Sequence, residues 1–376
     1  MTSRSFLSLA IALVMFPQIA QTLYSPALGD ISLSFAVRPE MAAQMLSVYF
    51  LGFALGVVVW GRLCDRIGRR PAMLGGLALY AAAMMLGLSV DTFEALLAVQ
   101  ALAALGAAVG SVVTQTVLRD RYQGVQLGQV FSVVGIALAA SPAIGLFSGA
   151  ALVRCLGYQG VLGGLLLLSL MLLVWCARSL PETLPTRLPS QPLSKTSWRM
   201  LKDPWIWRSA FLVATFNVAL FSYYNLAPFQ FERLGLNAAL FGYSGVILAL
   251  GSGLGAWLNK RLLARGFNGN QLSAVAAMVL LIGGVSVQGL LDGRGFVVAM
   301  LLVVLAFGMA IPNVLGAALV RYADCLGTAG ALFGLFYYLL IGGALMLAAW
   351  SQALGWTLIV CGVLAVCLTV RQVRLV

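Results

Sequence analysis

Gly61-Arg62-Leu63-Cys64-Asp65-Arg66-Ile67-Gly68-Arg69-Arg70-Pro71 is a short charged stretch set between two apolar runs, 41–61 and 71–90. A run of about 20 apolar residues is long enough to cross the hydrocarbon layer of a bilayer as a helix. A brief interval of arginine, aspartate and glycine between two such runs therefore predicts two spanning helices joined by a loop at the membrane surface.

The same pattern extends outward along the whole chain. Of 376 residues 61% are hydrophobic and 9% charged, a composition too apolar for a water-soluble domain and too poor in charge for a disordered one. Apolar runs can be read at 5–27, 41–61, 71–90, 93–116, 127–151, 157–180, 207–231, 239–260, 271–291, 295–320, 327–350 and 353–371. They are parted by breaks such as Arg38-Pro39-Glu40, Asp91-Thr92 and Asp292-Gly293-Arg294-Gly295. Twelve spans use most of the chain and leave only short loops. The fold expected is all-α, a polytopic membrane protein.

Composition also excludes chemistry. The chain has no histidine, which removes histidine-based zinc sites and Ser/His/Asp triads. Its six cysteines are scattered, with no spacing for a metal clip or a disulfide framework. No metal and no cofactor are expected.

The formal net charge of +12 is a matter of placement. With both termini in the cytoplasm, Arg38, Arg154, Arg233 and Arg294 fall outside and the other nineteen of the 23 basic residues fall inside. The eleven acids split five inside to six outside, so the bias belongs to Lys and Arg, as the positive-inside rule requires. The excess is topological, and no nucleic-acid partner is expected. An alternative reading takes the first 27 residues as a signal peptide, but removing them leaves eleven spans and spoils this partition.

Residues 181–206, with Pro181, Pro185, Pro189, Pro192 and Pro204, form the one long connection. They divide the chain into an N-terminal six-helix bundle, 1–180, a cytoplasmic linker, 181–206, and a C-terminal six-helix bundle, 207–376. Gly52-Gly56 and Gly251-Gly255 supply small residues at helix-packing spacing, one pair in each half. Pseudo-symmetric halves that rock about a midplane site are a transporter architecture.

The opening stretch closely resembles the G-x-L-x-D-R-x-G-R-R loop of the major facilitator superfamily. Leu23-Tyr24-Ser25-Pro26-Ala27-Leu28, the Gln44–Ala54 segment, Leu180-Pro181-Glu182-Thr183-Leu184 and Gly327-Thr328-Ala329-Gly330-Ala331 are similar to stretches of its twelve-span drug:proton antiporters, most of all the Bcr/CflA drug-resistance group. The resemblance implies the major facilitator fold, two pseudo-symmetric six-helix bundles. It also implies a charge latch of Asp65, Arg66 and Arg69 with Asp120, in which Gly68 makes the turn and Asp65 faces the start of span 11. In the matching loop, 259–266, Asn259 is read where an acid would be. Gly135, Pro142, Gly145 and Gly149 resemble the glycine-proline signature of antiporters in span 5, where a proline bends the axis and glycines allow close contact.

Two family positions differ. An acid before the span-1 tyrosine is Thr22 here, and the span-4 arginine falls on Gln100. All eleven acids lie at the edges of the spans, so no carboxylate is placed at membrane depth, where a coupling group is normally found. Asp30 is the remaining candidate for proton coupling; otherwise the substrate carries its own charge, or the protein is an uncoupled facilitator.

Neutral polar groups are the candidates for substrate binding. Gln18, Gln21, Thr22 and Ser25 recur at i, i+3, i+4, i+7 on one face of span 1. Gln100, Thr114 and Gln115 in span 4, Asn217, Tyr223, Tyr224 and Asn225 in span 7, Asn313 in span 10, and Tyr337 and Tyr338 in span 11 extend the set. Interhelical hydrogen bonding is the competing role for each. The family resemblance implies that spans 1, 4, 7 and 10 line the cavity. Together these features predict a monomeric secondary transporter of the bacterial inner membrane. Its partners are the lipid bilayer, a small organic substrate, drug-like or metallophore-like (siderophore-like), and protons if transport is coupled. The direction read is efflux, as in multidrug resistance, with an uncoupled facilitator or importer as the alternative. A membrane enzyme would need convergent acids, bases or nucleophiles at depth, and a sensor would need a sizeable soluble domain.

Overall fold

A backbone in hydrocarbon has no water to bond, so each apolar run must satisfy its own N–H and C=O groups, which a helix does. In the computed structural model, which describes residues 3–184 and 193–373, all regular structure is helical. Pro185, Arg187, Pro189 and Pro192 of the expected linker, and Arg374, lie outside the described residues.

The chain divides into two compact units, Met1–Ser190 and Gln191–Val376. The first contains α1 (Ser3–Leu23), a 3-10 turn (Ser25–Ala27), α2 (Leu28–Ser34), α3 (Pro39–Ala42), α4 (Gln44–Ile67), α5 (Arg69–Gly87), α6 (Phe93–Arg121) and α7 (Gly124–Ser179). The second contains α8 (Leu193–Leu201), α9 (Pro204–Arg233), α10 (Ala238–Ala264), α11 (Gly269–Gly289), α12 (Gly295–Ala318), a 3-10 turn (Val320–Cys325), α13 (Leu326–Ser351) and α14 (Leu354–Val373).

At 56 residues α7 would be about 84 Å long if straight, far more than one crossing. It is two spans in one element, broken at Gly157, whose φ of 65° and ψ of −162° are not helical. Counting its limbs separately, each unit holds six long helices, the expected twelve-helix, two-bundle architecture. The contacts repeat between units. In the first, α4 and α5 pack on α6, α1 on α7, and α5 on α7; in the second, α10 and α11 pack on α12, α9 on α13, and α11 on α14.

The small residues set these distances. A Cβ on Gly56 would come within 2.6 Å of the Leu105 carbonyl oxygen of α6, and one on Gly255 would strike the Leu305 carbonyl oxygen of α12. Glycine lets the paired backbones touch where lipid gives no hydrophobic drive for association.

Three local expectations change. The charged stretch 61–71 is not a loop: α4 runs to Ile67 and α5 starts at Arg69, with Arg62, Arg66 and Arg70 exposed while they continue the helices. The fifth and sixth spans are continuous but for Gly157. The expected linker, 181–206, carries a helix, α8, which the prolines around it concealed and which belongs to the second unit.

Candidate functional site

At the α4–α5 junction Gly68 takes φ 104° and ψ 158°, a conformation costly for any residue with a Cβ. This turn presents the first N–H groups of α5. Those of Arg69 and Arg70 donate to the Glu182 carboxylate at 2.9 and 3.1 Å, and those of Thr183 and Leu184 donate to it at 2.9 Å each. Partial burial works to raise the Glu182 pKa, but the four N–H donors outweigh it and hold the carboxyl below its ordinary value.

Beside it the Arg69 side chain is 2% exposed. Its Nε donates to Asp120 Oδ2 at 3.0 Å, and its Nη1 lies 3.0 Å from Asp65 Oδ1 and 2.9 Å from the Cys64 carbonyl. Thr183 Oγ1 also donates to Asp120, at 3.0 Å, and Arg70 Nη2 donates to the Ala177 carbonyl at 2.6 Å. Asp65, Gly68, Arg69 and Asp120 are thus brought together, with Arg66 exposed next to them. Sequence reasoning placed Glu182 and Thr183 only at the close of the sixth span. They bind the end of α7 to α5 and α6, and the Pro181-Glu182-Thr183 motif was the signal.

In the second unit Gly266 has φ 92°, matching Gly68. Counting back three residues from each glycine sets Leu263 opposite Asp65. The acid is therefore replaced by leucine, not by Asn259 as the sequence reading had it. Asn259 instead accepts from Asn313 Nδ2 at 2.7 Å, and Asn313 Nδ2 also donates to the Met309 carbonyl at 2.9 Å.

The expected span-1 stripe divides by environment. Thr22 is buried, bonds back to the carbonyls of Gln18 and Ile19 at 2.8 and 3.3 Å, and packs on Gly145 of α7. Gln18 is half-buried, and Ser25 is buried at the start of the 3-10 turn made with Pro26. Gln21 is buried with its Nε2 unpaired. In α6, Gln100 Oε1 and Thr114 Oγ1 are likewise buried and unpaired, while Gln115 Nε2 donates to Ser111 Oγ at 3.2 Å. Ser47 Oγ and Tyr80 Oη, not singled out from sequence, join the unpaired group.

Within α7, Gly145 and Gly149 lie against α1, whereas nothing stands within 4 Å of the Cβ position of Gly135. Pro142 lies inside the first limb. Asp30 Oδ2 accepts the N–H of Tyr158 at 2.5 Å and sits beside Gly157. It caps the second limb of α7, where a helix start favours an anion.

In the second unit Tyr223 Oη donates to Ser244 Oγ at 2.7 Å, and its ring lies among Tyr224, Phe241 and Phe296. Asn217 Nδ2 bonds back to the Val213 carbonyl at 2.8 Å. Tyr337 and Tyr338 are half-exposed, with ring centroids 4.3 Å apart. Asn225 is different: it is fully buried and both of its amide atoms lack a partner, as does Ser222 Oγ one turn earlier. A cleft of about 20 Å³, room for a water molecule, is lined by Trp205, Arg208, Asn270 and Asn313 among others. Among the described residues Arg69 is the buried charged side chain, and no carboxylate residue is buried.

Residues 8–346 match the model of the Major Facilitator Superfamily. An uncharacterized transporter of Rickettsia felis is 30% identical over 348 residues, 88% of this chain and 85% of the relative. A chloramphenicol resistance protein of Pseudomonas aeruginosa is 26% identical over 377 residues, 95% of this chain and 86% of the relative. A crystal structure of a D-xylose-proton symporter superposes with a TM-score of 0.78 at 14% identity, covering 97% of this chain and 96% of the other.

Proposed function

The chain thus belongs to the Major Facilitator Superfamily, a multi-pass membrane transporter and not an enzyme, and from that premise we propose that it exports a small organic solute by alternating access. The solute is drug-like or metallophore-like, and the membrane is the bacterial inner membrane with both termini in the cytoplasm. Segments 1–180 and 207–376 are the two working bundles, and 181–206 connects them.

The carrying observation is the set of buried, neutral, unpaired polar atoms on Gln21, Gln100 and Asn225. An unpaired buried amide group costs about 1–3 kcal/mol, so these atoms are retained for a state in which substrate or water pairs them. In either unit, unpaired amides and hydroxyls suit a polar or zwitterionic organic molecule better than a bare ion. The chloramphenicol resistance relative supports the drug-like class and the outward direction.

A second reading, uncoupled facilitation or import, is favoured by one observation: Asp30, the coupling candidate, is engaged as a helix cap. The protein reconstituted in proteoliposomes separates the two. In antiport, an imposed pH gradient drives chloramphenicol-type substrates against their concentration and collapses as they move. If neither occurs while substrate still equilibrates, coupling is wrong and facilitation stands. Gln21→Ala and Asn225→Ala weaken substrate binding in folded protein; unchanged affinity in both removes the site assignment.

A further inference from the structure

Helix α8 is separate from everything assigned above. It is nine residues long. Thr196 and Met200, one turn apart, are buried, and α8 packs on α9 and α13. Its opposite face holds Trp198, 63% exposed, Leu201, 45% exposed, and just beyond it Lys202, whose Nζ lies 4.4 Å from the Trp198 ring centre. Trp207 Nε1 donates to the Leu201 carbonyl at 2.9 Å, fixing α8 at the beginning of the α9 span.

Around that junction most of the described charged side chains are basic. The Arg199 guanidinium lies over Tyr322 at 4.5 Å, and Arg321 and Arg208 lie over Trp205 at 5.2 and 5.6 Å. The nearby acid, Asp203, caps α9 through the Trp205 N–H at 2.9 Å, accepts from Tyr322 Oη at 3.0 Å and lies 4.0 Å from Arg321 Nη1, while Arg199 Nη2 donates to the Arg321 carbonyl at 2.8 Å. Among the described side chains the exposed cations Arg199, Lys202 and Arg321 outnumber the one acid Asp203, and with exposed Trp198 and Leu201 at the end of a spanning helix they form a surface with apolar and positive parts at one depth. Apolar groups at that depth enter the acyl boundary, and cations there meet lipid phosphates.

We propose that α8 and the Arg199–Lys202–Arg321 cluster bind the phosphate group of anionic phospholipids, with Trp198 and Leu201 seated among the acyl chains. The surface fits a lipid better than a soluble protein because tryptophan and lysine share one exposed face at the level where the α9 span begins. The inference rests on the membrane fold alone, not on substrate or direction of transport.

The test uses the purified, delipidated full-length protein titrated with phosphatidylglycerol and with phosphatidylcholine, read by native mass spectrometry. Phosphatidylglycerol is expected to bind more tightly. Each basic residue near a membrane surface contributes about a fivefold preference for an anionic lipid, so Lys202→Gln reduces phosphatidylglycerol affinity about fivefold and Lys202→Gln with Arg199→Gln roughly 25-fold, with a smaller loss for phosphatidylcholine, whose phosphate is balanced by its own choline. Trp198→Ala weakens both lipids. Lys202 is exposed, so its replacement leaves the fold intact even if the Arg199 change does not. Equal affinity of the wild type for the two lipids, or a full phosphatidylglycerol preference in Lys202→Gln, overturns the proposal. So does displacement of the lipid by millimolar inorganic phosphate, which would make this a free-anion site.

Discussion

Replacing Asn225 by leucine tests the meaning of the unpaired polar atoms directly. The two side chains have the same number and branching of heavy atoms, so the change removes an amide without opening a cavity. Asn225 is fully buried and neither its Nδ2 nor its Oδ1 has a partner. At about 1 kcal/mol for each of the two groups, the low end of the measured range, the described conformation gains about 2 kcal/mol from Asn225→Leu. A folding unit of 150–250 residues gains about 2–4 °C in melting temperature per kcal/mol, so thermal unfolding in detergent shifts up by about 4–8 °C. Transport moves the other way: loss of one substrate hydrogen bond, worth about 1 kcal/mol, raises KM about fivefold. A variant that melts at or below the wild-type temperature, or transports with unchanged KM, refutes the reasoning that this amide is kept for ligand.

Arg69→Ala removes the buried cation between Asp120 and Asp65; since the carboxylates left behind keep contact with solvent, the loss is that of a charge-assisted hydrogen bond, about 1.5–3 kcal/mol, seen as a lower melting temperature, and Arg69→Lys restores only part. Glu182 has a folded pKa below its unfolded value, so its contribution is complete above the unfolded value and is lost as pH falls through the folded one. The stability gap between wild type and Glu182→Gln is therefore constant near neutrality and closes below about pH 4, read from melting curves across acid pH. Asp30→Asn retains an oxygen for the Tyr158 N–H and keeps wild-type stability, whereas Asp30→Ala loses about 1 kcal/mol with the cap. If Asp30 also couples protons, both variants lose pH-driven transport; gradient-driven transport in Asp30→Asn equal to wild type restricts the residue to its cap.

Long apolar runs were readable because a backbone in lipid has a single local solution, and Gly52, Gly56, Gly251 and Gly255 were readable because close packing needs absent side chains. What escaped the sequence depended on three-dimensional partners. Glu182 lies 113 positions from Arg69, and nothing in local pattern says that its carboxylate gathers the N–H groups of α5. The i, i+3, i+4, i+7 stripe of span 1 grouped Thr22 with Gln21, but Thr22 turns to Gly145 and bonds its own helix, while Gln21 keeps an unpaired amide. Tyr223 and Asn225 looked alike in sequence for the same reason. One is held by Ser244 and a ring cluster, and the other has no hydrogen-bond partner on the protein. Periodicity assigns a face, and only packing shows whether a polar group on it is already satisfied.

The joint at Gly68 carries a mechanical corollary. With one residue between them, α4 and α5 have no slack: neither rod can slide along its own axis without dragging the other, and a swivel about the two glycine torsions is the freedom that remains. In the second bundle α10 and α11 are separated by Arg265 to Asn268, a longer coupling that tolerates some slip. The first hairpin therefore behaves as a stiff crank and the second as a sprung one, an asymmetry built into two otherwise matching halves.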